Sequence, residues 1–537
     1  MSENLFVSQV SSNSQKEKIE VKFQNRYDLL FAEKKFSEIK DDSMNNELSL
    51  RKTFREEIFI QKRLKQRMIE QNGNSSPKKI INKLTISQEL YNECNLMNVN
   101  IQQLKDILIY FNSDNIEQKY KGLVGIRKIL CLQNPPTQLL LEMNILPSLI
   151  QLLDNTPIEF QYESLWCLIN ISVVENNGQK IKYLGGIDKI ISKLDSSMDE
   201  IKDLALWNIE NLCYESPKIV IYFIQKKLLN KLITLLSVNN NINLVVRSIS
   251  IVRTLIKSCN KKNVDNINYI NDLKRVINIV SRIIMANKYQ PEKKEIRDLY
   301  YDSLYIFSYL TDNSVKCRDA LLTSGVLHYI IELIKIFNEQ DDLFLILGGL
   351  KIIGNIIIGN ANQTQKVLDC NIYDILKVLM FHKNKRIKKE ANWIISNIAA
   401  GTEKNIIDLI DNGFFPLLCQ IFQKEEKEIK AEAIWTLCNF SQIKNNDYIK
   451  ILIEQGLLLI VCECLKSEES KEIAISLEAL NNLLEYGQRI SFDGNNIIAL
   501  EIEKIGMINA LENLQYHPNE IIYEKTLNTI EKYFLTE

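Results

Sequence analysis

Short polar breaks divide this chain into apolar runs of helical period, and one such run keeps returning. It reads as a small or polar turn, two apolar residues, then apolar positions spaced for one helix face. Copies are MNILPSLIQLL at Met143–Leu153, GGIDKIISKL at Gly185–Leu194, KKLLNKLITLL at Lys226–Leu236 and SGVLHYIIELI at Ser324–Ile334. Further copies are CNIYDILKVLM at Cys370–Met380, NGFFPLLCQIF at Asn412–Phe422, QGLLLIVCECL at Gln455–Leu465 and IGMINALENL at Ile505–Leu514. Corresponding positions are evenly spaced: Leu146 to Ile187 is 41 residues, Ile187 to Leu229 is 42, Tyr373 to Phe415 is 42 and Phe415 to Leu458 is 43. The 98 residues from Leu229 to Leu327 leave room for one degenerate copy near Ile277–Met285.

A period of roughly 40–47 residues is that of armadillo and HEAT units of two or three helices. One unit cannot bury its own apolar face, so neighbours stack into a continuous core. The pattern predicts an all-α superhelix with one concave and one convex surface.

A second pattern precedes most of these runs by about 20 residues and reads close to E-x-x-W-x-x-x-N. It occurs as ESLWCLIN (Glu163–Asn170), DLALWNIEN (Asp203–Asn211), EANWIISN (Glu390–Asn397) and EAIWTLCN (Glu432–Asn439). The chain has 4 Trp, and each of them, Trp166, Trp207, Trp393 and Trp435, is followed four residues later by Asn170, Asn211, Asn397 or Asn439. Positions i and i+4 share a helix face. Equivalent helices of a solenoid stand side by side, so the indoles form a ladder. Indole faces accept the methylene stem of a Lys with cation–π attraction of about 0.5–2 kcal/mol each. The Asn carboxamide pairs with an extended peptide backbone, and Glu390 and Glu432 receive ammonium heads. A lone Trp on a helix is usually core. Four in phase with the same polar partner are not explained by packing, because Asn is a mediocre helix former.

Composition narrows the function further. The chain has 537 residues, 46% hydrophobic and 25% charged, too long for one compact core. Lys+Arg (66) and Asp+Glu (67) nearly cancel, so no global field favours direct nucleic-acid or membrane binding. Gly (17) and Pro (9) are too few for a many-stranded sandwich or barrel. The 11 Cys are scattered singly among apolar residues and read as reduced thiols, and the three His lie away from them, so no metal site or other cofactor is expected. The N-terminus shows no secretory signal and no apolar run reaches a membrane span. No P-loop, nucleophile elbow or H-E-x-x-H occurs, so the chain reads as a non-enzyme.

These motifs resemble the importin-α (karyopherin-α) family of nuclear import adaptors. DSLYIFSYLTDN (Asp302–Asn313) is similar to the family's central repeat, in which a Tyr–Asp pair, here Tyr309 and Asp312, remains where Trp gives way. LGGLKIIGNIIIGNANQTQ (Leu347–Gln365) is similar to its most recognisable stretch, with Asn355 as ladder Asn. IKKEANWIISNIAAGT (Ile387–Thr402) and NEIIYEKTLNTIEKYF (Asn519–Phe534) also match. The resemblance covers roughly residues 100–537. It implies a right-handed superhelical armadillo-repeat solenoid of about ten repeats with a flexible N-terminal segment. Expected divisions are a disordered segment over 1–46, a basic helix and linker over 47–80, repeats one to nine over 100–515, and a C-terminal partial repeat over 516–537. The stretch ELSLRKTFREEIFIQKRLKQRM (Glu47–Met68) is similar to the family's importin-β-binding helix, with Arg51, Lys52, Arg55, Lys62, Arg63, Lys65 and Arg67 as its cations. In the family this segment links cargo to importin-β or, left free, competes for the adaptor's own groove. The basic cluster downstream is reduced here to Lys78 and Lys79, which predicts weak autoinhibition. Implied partners are importin-β, cargo with basic nuclear localisation signals, and an export receptor acting with the Ran GTPase. The implied location is shuttling between cytoplasm and nucleus.

The family has a major and a minor peptide groove. The minor one, built here from Tyr309, Asp312, Asn355, Glu390, Trp393, Asn397, Glu432, Trp435 and Asn439, matches throughout. The major one keeps Trp166, Asn170, Trp207 and Asn211 but departs elsewhere. Ser250 and Thr254 align where a third Trp and Asn belong, and Val173, Val174 and Gln179 replace smaller groups. Glu215 aligns with the aspartate that meets the deepest Lys. The expectation is a weakened major groove, with the minor groove carrying more of the binding. The alternatives are an armadillo scaffold for acidic ligands, or an adaptor dedicated to one partner.

Overall fold

The computed structural model describes residues 101–534, apart from 133–134, 175, 239–240, 259–266 and 492–494. Every regular element among the described residues is helical. Ten long helices recur: α1 (Ile116–Leu130), α2 (Ile158–Ser172), α3 (Asp199–Glu215), α4 (Ile242–Lys257), α5 (Lys294–Asn313), α6 (Leu343–Ile357), α7 (Lys385–Ala399), α8 (Lys427–Phe440), α9 (Ser470–Ile490) and α10 (Glu520–Tyr533). Most are preceded by two short helices, such as Asn177–Tyr183 and Gly186–Ser192 before α3. The degenerate copy expected near Ile277–Met285 lies within one 20-residue helix, Ile267–Ala286. The described residues form two compact units, 101–313 and 314–534. α1 to α5 pack in succession in the first unit, and α6 to α10 in the second.

A single backbone state sets the repeat. Each of the eight recurring runs has one residue with positive φ between its two short helices: Asn144, Gly185, Lys227, Gly325, Asn371, Gly413, Gly456 and Gly506. A left-handed residue ends the first helix and starts the second with almost no loop, and Gly or Asn adopts it at least cost. That is why the runs begin with a small or polar residue. Lys227, at φ 55, is the one bulky side chain among the eight.

The core is continuous within each unit. In α2, Leu165, Cys167, Leu168 and Ile171 are fully buried, and in α7 so are Ile394, Ile395 and Ile398. Being packed on both sides, a long helix leaves only a narrow exposed stripe. On α3 that stripe holds Asp203, Glu210 and Tyr214 beside the buried Trp207, and on α4 it holds Arg247 and Thr254 beside the buried Ser250. Polar links between repeats join residues 35 to 43 apart in sequence. Asn208 donates to Leu165 O at 2.9 Å, Lys189 pairs with Asp154, Lys383 with Asp341 and Lys427 with Glu469.

Candidate peptide-binding surfaces

The four indoles fall on the long helices in matching places, Trp166 on α2, Trp207 on α3, Trp393 on α7 and Trp435 on α8. Their environments differ between the units. Trp166 and Trp207 are only 5% and 9% exposed. Trp393 and Trp435 are half-buried, with part of each ring facing solvent.

In the first unit the indoles are already covered by cations of the protein itself. The Arg127 guanidinium on α1 lies 4.7 Å from the Trp166 ring centre and pairs with Glu163 at 2.5 Å, both groups being buried. Arg247 on α4 lies 5.1 Å from the Trp207 ring centre. It pairs with Asp203 at 2.9 Å and Glu210 at 3.0 Å. The carboxamides are engaged as well. Asn170 donates to Trp166 O at 3.2 Å, and Asn211 donates to Ile169 O at 3.2 Å and Ser172 Oγ at 3.3 Å. Glu215 accepts from the Gly178 backbone N–H at 2.8 Å, so its carboxylate caps the helix Asn177–Tyr183. A Cβ on Gly178 would meet that carboxylate at 2.1 Å, so the contact requires glycine. On α4 Ser250 is buried and Thr254 half-buried, Val173 and Gln179 are half-buried, and Val174 is exposed.

At the end of the first unit, Tyr309 and Asp312 are half-buried on α5. Tyr309 closes a stack that the sequence reading did not single out. Tyr301 and Tyr305 are 4.6 Å apart by ring centres, and Tyr305 and Tyr309 are 6.2 Å apart. Arg253 sits 5.4 Å from the Tyr301 ring centre and pairs with Asp302 at 2.7 Å. The i, i+4, i+8 spacing of the tyrosines was readable in the sequence. The stacking of Arg127, Arg247 and Arg253 was not, because it joins successive helices.

In the second unit α6, α7 and α8 bring Asn355, Glu390, Trp393, Asn397, Glu432, Trp435 and Asn439 onto adjacent helices. Trp393 leans on Gly354 of α6, where a Cβ would meet its Cζ3 at 2.5 Å. Glu432 accepts from Ser396 Oγ at 2.8 Å. Desolvation raises the Glu390 carboxyl above its usual range, Lys351 opposes this and Glu432 adds to it. Lys351, one turn before Asn355, is exposed and was also missed from sequence. Asn397 donates to Trp393 O at 2.8 Å. Asn439 differs: its Oδ1 accepts from Gln442 Nε2 at 3.0 Å, while its buried Nδ2 has no hydrogen-bond partner. A buried donor left unpaired costs about 1–3 kcal/mol, and an incoming carbonyl oxygen would remove that cost.

The expected importin-β contacts Arg51, Lys52, Arg55, Lys62, Arg63, Lys65 and Arg67 lie outside the described residues, as do divisions 1–46 and 47–80. No group of three or more His, Cys, Asp and Glu side chains among the described residues is placed to hold a metal ion.

Stacked helix triplets with a left-handed hinge and an indole–carboxamide pair on the long helix define an armadillo-repeat protein. The armadillo/beta-catenin-like repeat matches residues 133–173 and 402–442, and the atypical Arm repeat matches 496–537. Importin subunit alpha-3 of Arabidopsis thaliana is 30% identical over 80% of this chain and 80% of its own length. Importin subunit alpha-2 of the same plant is 28% identical over 96% of this chain and 91% of its own. Importin subunit alpha-1b of Oryza sativa subsp. japonica is 29% identical over 79% and 78%. The crystal structure of an engineered protein shares the fold, with TM-score 0.60 at 16% identity over 80% of this chain and 98% of its own. This chain belongs to the importin-α family of nuclear import adaptors.

Proposed function

We propose that this protein carries lysine- and arginine-rich nuclear localisation signals on the exposed face of its long helices and links them to importin-β through its N-terminal basic stretch. It shuttles between cytoplasm and nucleus, and an export receptor with the Ran GTPase returns it. The observation that carries this reading is the surface of α7 and α8. Two half-buried indoles, Trp393 and Trp435, stand beside the half-buried Glu390 and the buried Glu432, and the buried Asn439 has an unsatisfied donor. A half-buried indole attracts a lysine stem and its charge, the carboxylates receive the ammonium groups, and the free amide hydrogen suits a peptide carbonyl.

The first unit supports a particular form of this reading. Arginines of the chain lie over Trp166 and Trp207, and Asn211 and Glu215 are held by neighbours. The major groove then contributes less than the minor one. The same features favour the second reading, an adaptor narrowed to one partner. A pull-down with importin-β and a two-cluster basic peptide, using full-length chain and chain lacking residues 1–80, tests both. Full-length protein should retain importin-β and peptide together, truncation should abolish only importin-β, and peptide affinity should rise little on truncation. Failure to retain any basic peptide in either form defeats the adaptor reading. Retention of one natural partner but no generic signal favours the narrowed one.

A further inference from the structure

The stripe shared by α3 and α4 uses, for an internal cation, the groups that would grip a ligand's. A lysine slot needs an aromatic face and a carboxylate. Beside Trp207 both are present, and both are occupied by Arg247. Its Nε donates to Asp203 Oδ1 at 2.9 Å, its Nη1 to Glu210 Oε2 at 3.0 Å, and its planar group lies over the indole. Ser250, which stands where a third Trp would extend the ladder, donates to Glu210 Oε1 at 3.2 Å and holds that carboxylate from the other side. Desolvation disfavours the Arg247 charge, but Asp203 and Glu210 more than compensate and its pKa rises. Arg presents a rigid fork that suits two carboxylates at once, which a mobile lysine ammonium from solution does not match. Its side chain is 20% exposed, so it can be altered without opening the core.

We infer that Arg247 is a resident occupant of the Trp207 slot and determines the specificity of the α2–α4 surface, excluding a ligand lysine from the position between α3 and α4. Its removal turns Trp207, Asp203 and Glu210 into a cation site. This inference rests on the proposed reading that indole–carboxylate surfaces of this protein take lysine-rich peptides.

The test uses full-length chain and a fluorescein-labelled pentalysine peptide, read by anisotropy in low salt. In a Trp393→Ala/Trp435→Ala background, which silences the second unit, Arg247→Ala should tighten binding roughly tenfold. Adding Asp203→Asn and Glu210→Gln should erase that gain. Binding by wild type that is lost in the background and not recovered by Arg247→Ala sinks the inference while leaving the adaptor reading intact. No binding by wild type or any variant sinks both. A gain that survives loss of both carboxylates also overturns the inference. If circular dichroism shows Arg247→Ala unfolded, Arg247→Met keeps an apolar stem over the indole and frees both carboxylates. It must then give the gain, and absence of gain in a folded Arg247→Met protein is decisive against it.

Discussion

Trp393 rests directly on Gly354: a Cβ on that glycine would come within 2.5 Å of the indole Cζ3. The helix backbone of α6 therefore serves as the floor beneath a ring of α7. An indole is rigid, so Gly354→Ala must displace the whole ring or separate the helices. Overpacking of this kind costs about 1–3 kcal/mol. We expect Gly354→Ala to lower stability by that amount in chemical denaturation and to weaken basic-peptide binding. Unchanged peptide affinity would mean that the position of Trp393 does not matter to the ligand.

The burial difference between the two indole pairs predicts a ranking. Replacing Trp393 and Trp435 by Ala should cost basic-peptide affinity about 0.5–2 kcal/mol per ring, a combined loss of roughly fivefold to several-hundredfold. Replacing Trp166 and Trp207 should cost less affinity but more stability, since these rings are 5% and 9% exposed. Calorimetric titration and thermal melts on the same proteins separate the two effects. The opposite affinity ranking would place the main binding surface in the first unit.

Glu390 gives the binding surface a pH dependence. Its carboxyl titrates above the ordinary 4.5 because desolvation disfavours its charge, with Lys351 opposing and Glu432 reinforcing. A raised carboxyl pKa means that folding favours the protonated form. Its contribution to stability is therefore full below the ordinary value and is lost as pH rises through the raised one. Cation binding has the opposite sign, because only the ionised form attracts lysine. Peptide affinity should rise as pH increases from about 4.5 through the raised titration range. Glu390→Gln should flatten that rise, measured by anisotropy at constant ionic strength.

Lys227 is strained by its φ of 55. A side chain in the left-handed region costs about 1–2 kcal/mol, and glycine's extra unfolded-state freedom returns roughly 0.5–1 kcal/mol of that. Lys227→Gly should stabilise the protein by about 0.5–1 kcal/mol in urea denaturation, with no change in peptide binding. Destabilisation would show that the lysine side chain holds the turn through other contacts.

Much of the fold was legible because the repeat leaves two separate marks. The helical period and the position of the turn residue both recur, and the turns at Asn144, Gly185 and Gly413 each adopt the left-handed state that a small or polar residue suggests. The helix Ile267–Ala286 was placed only by the length of the gap, since its turn pattern is degenerate. For the binding surface, helix phase placed the indoles on equivalent helices but did not give their exposure. Trp166 and Trp393 share one motif, yet Arg127 covers the first and part of the second faces water. That difference comes from the preceding long helix, about 40 residues away, where α1 offers an arginine and α6 a glycine. The contact of Glu215 was hidden for a related reason: its partner Gly178 lies 37 residues earlier, across a repeat boundary.

The polar links join residues about one repeat apart, which bears on how the chain is made. Lys383 reaches back 42 residues to Asp341, Asn208 reaches back 43 to Leu165, and Lys427 reaches forward 42 to Glu469. A ribosome adding about 5–20 residues per second releases such a segment in roughly 2–8 s. Each emerging helix triplet thus meets a finished neighbour to dock on within seconds, and its bare apolar side waits for one partner only, never for the distant end of the polypeptide.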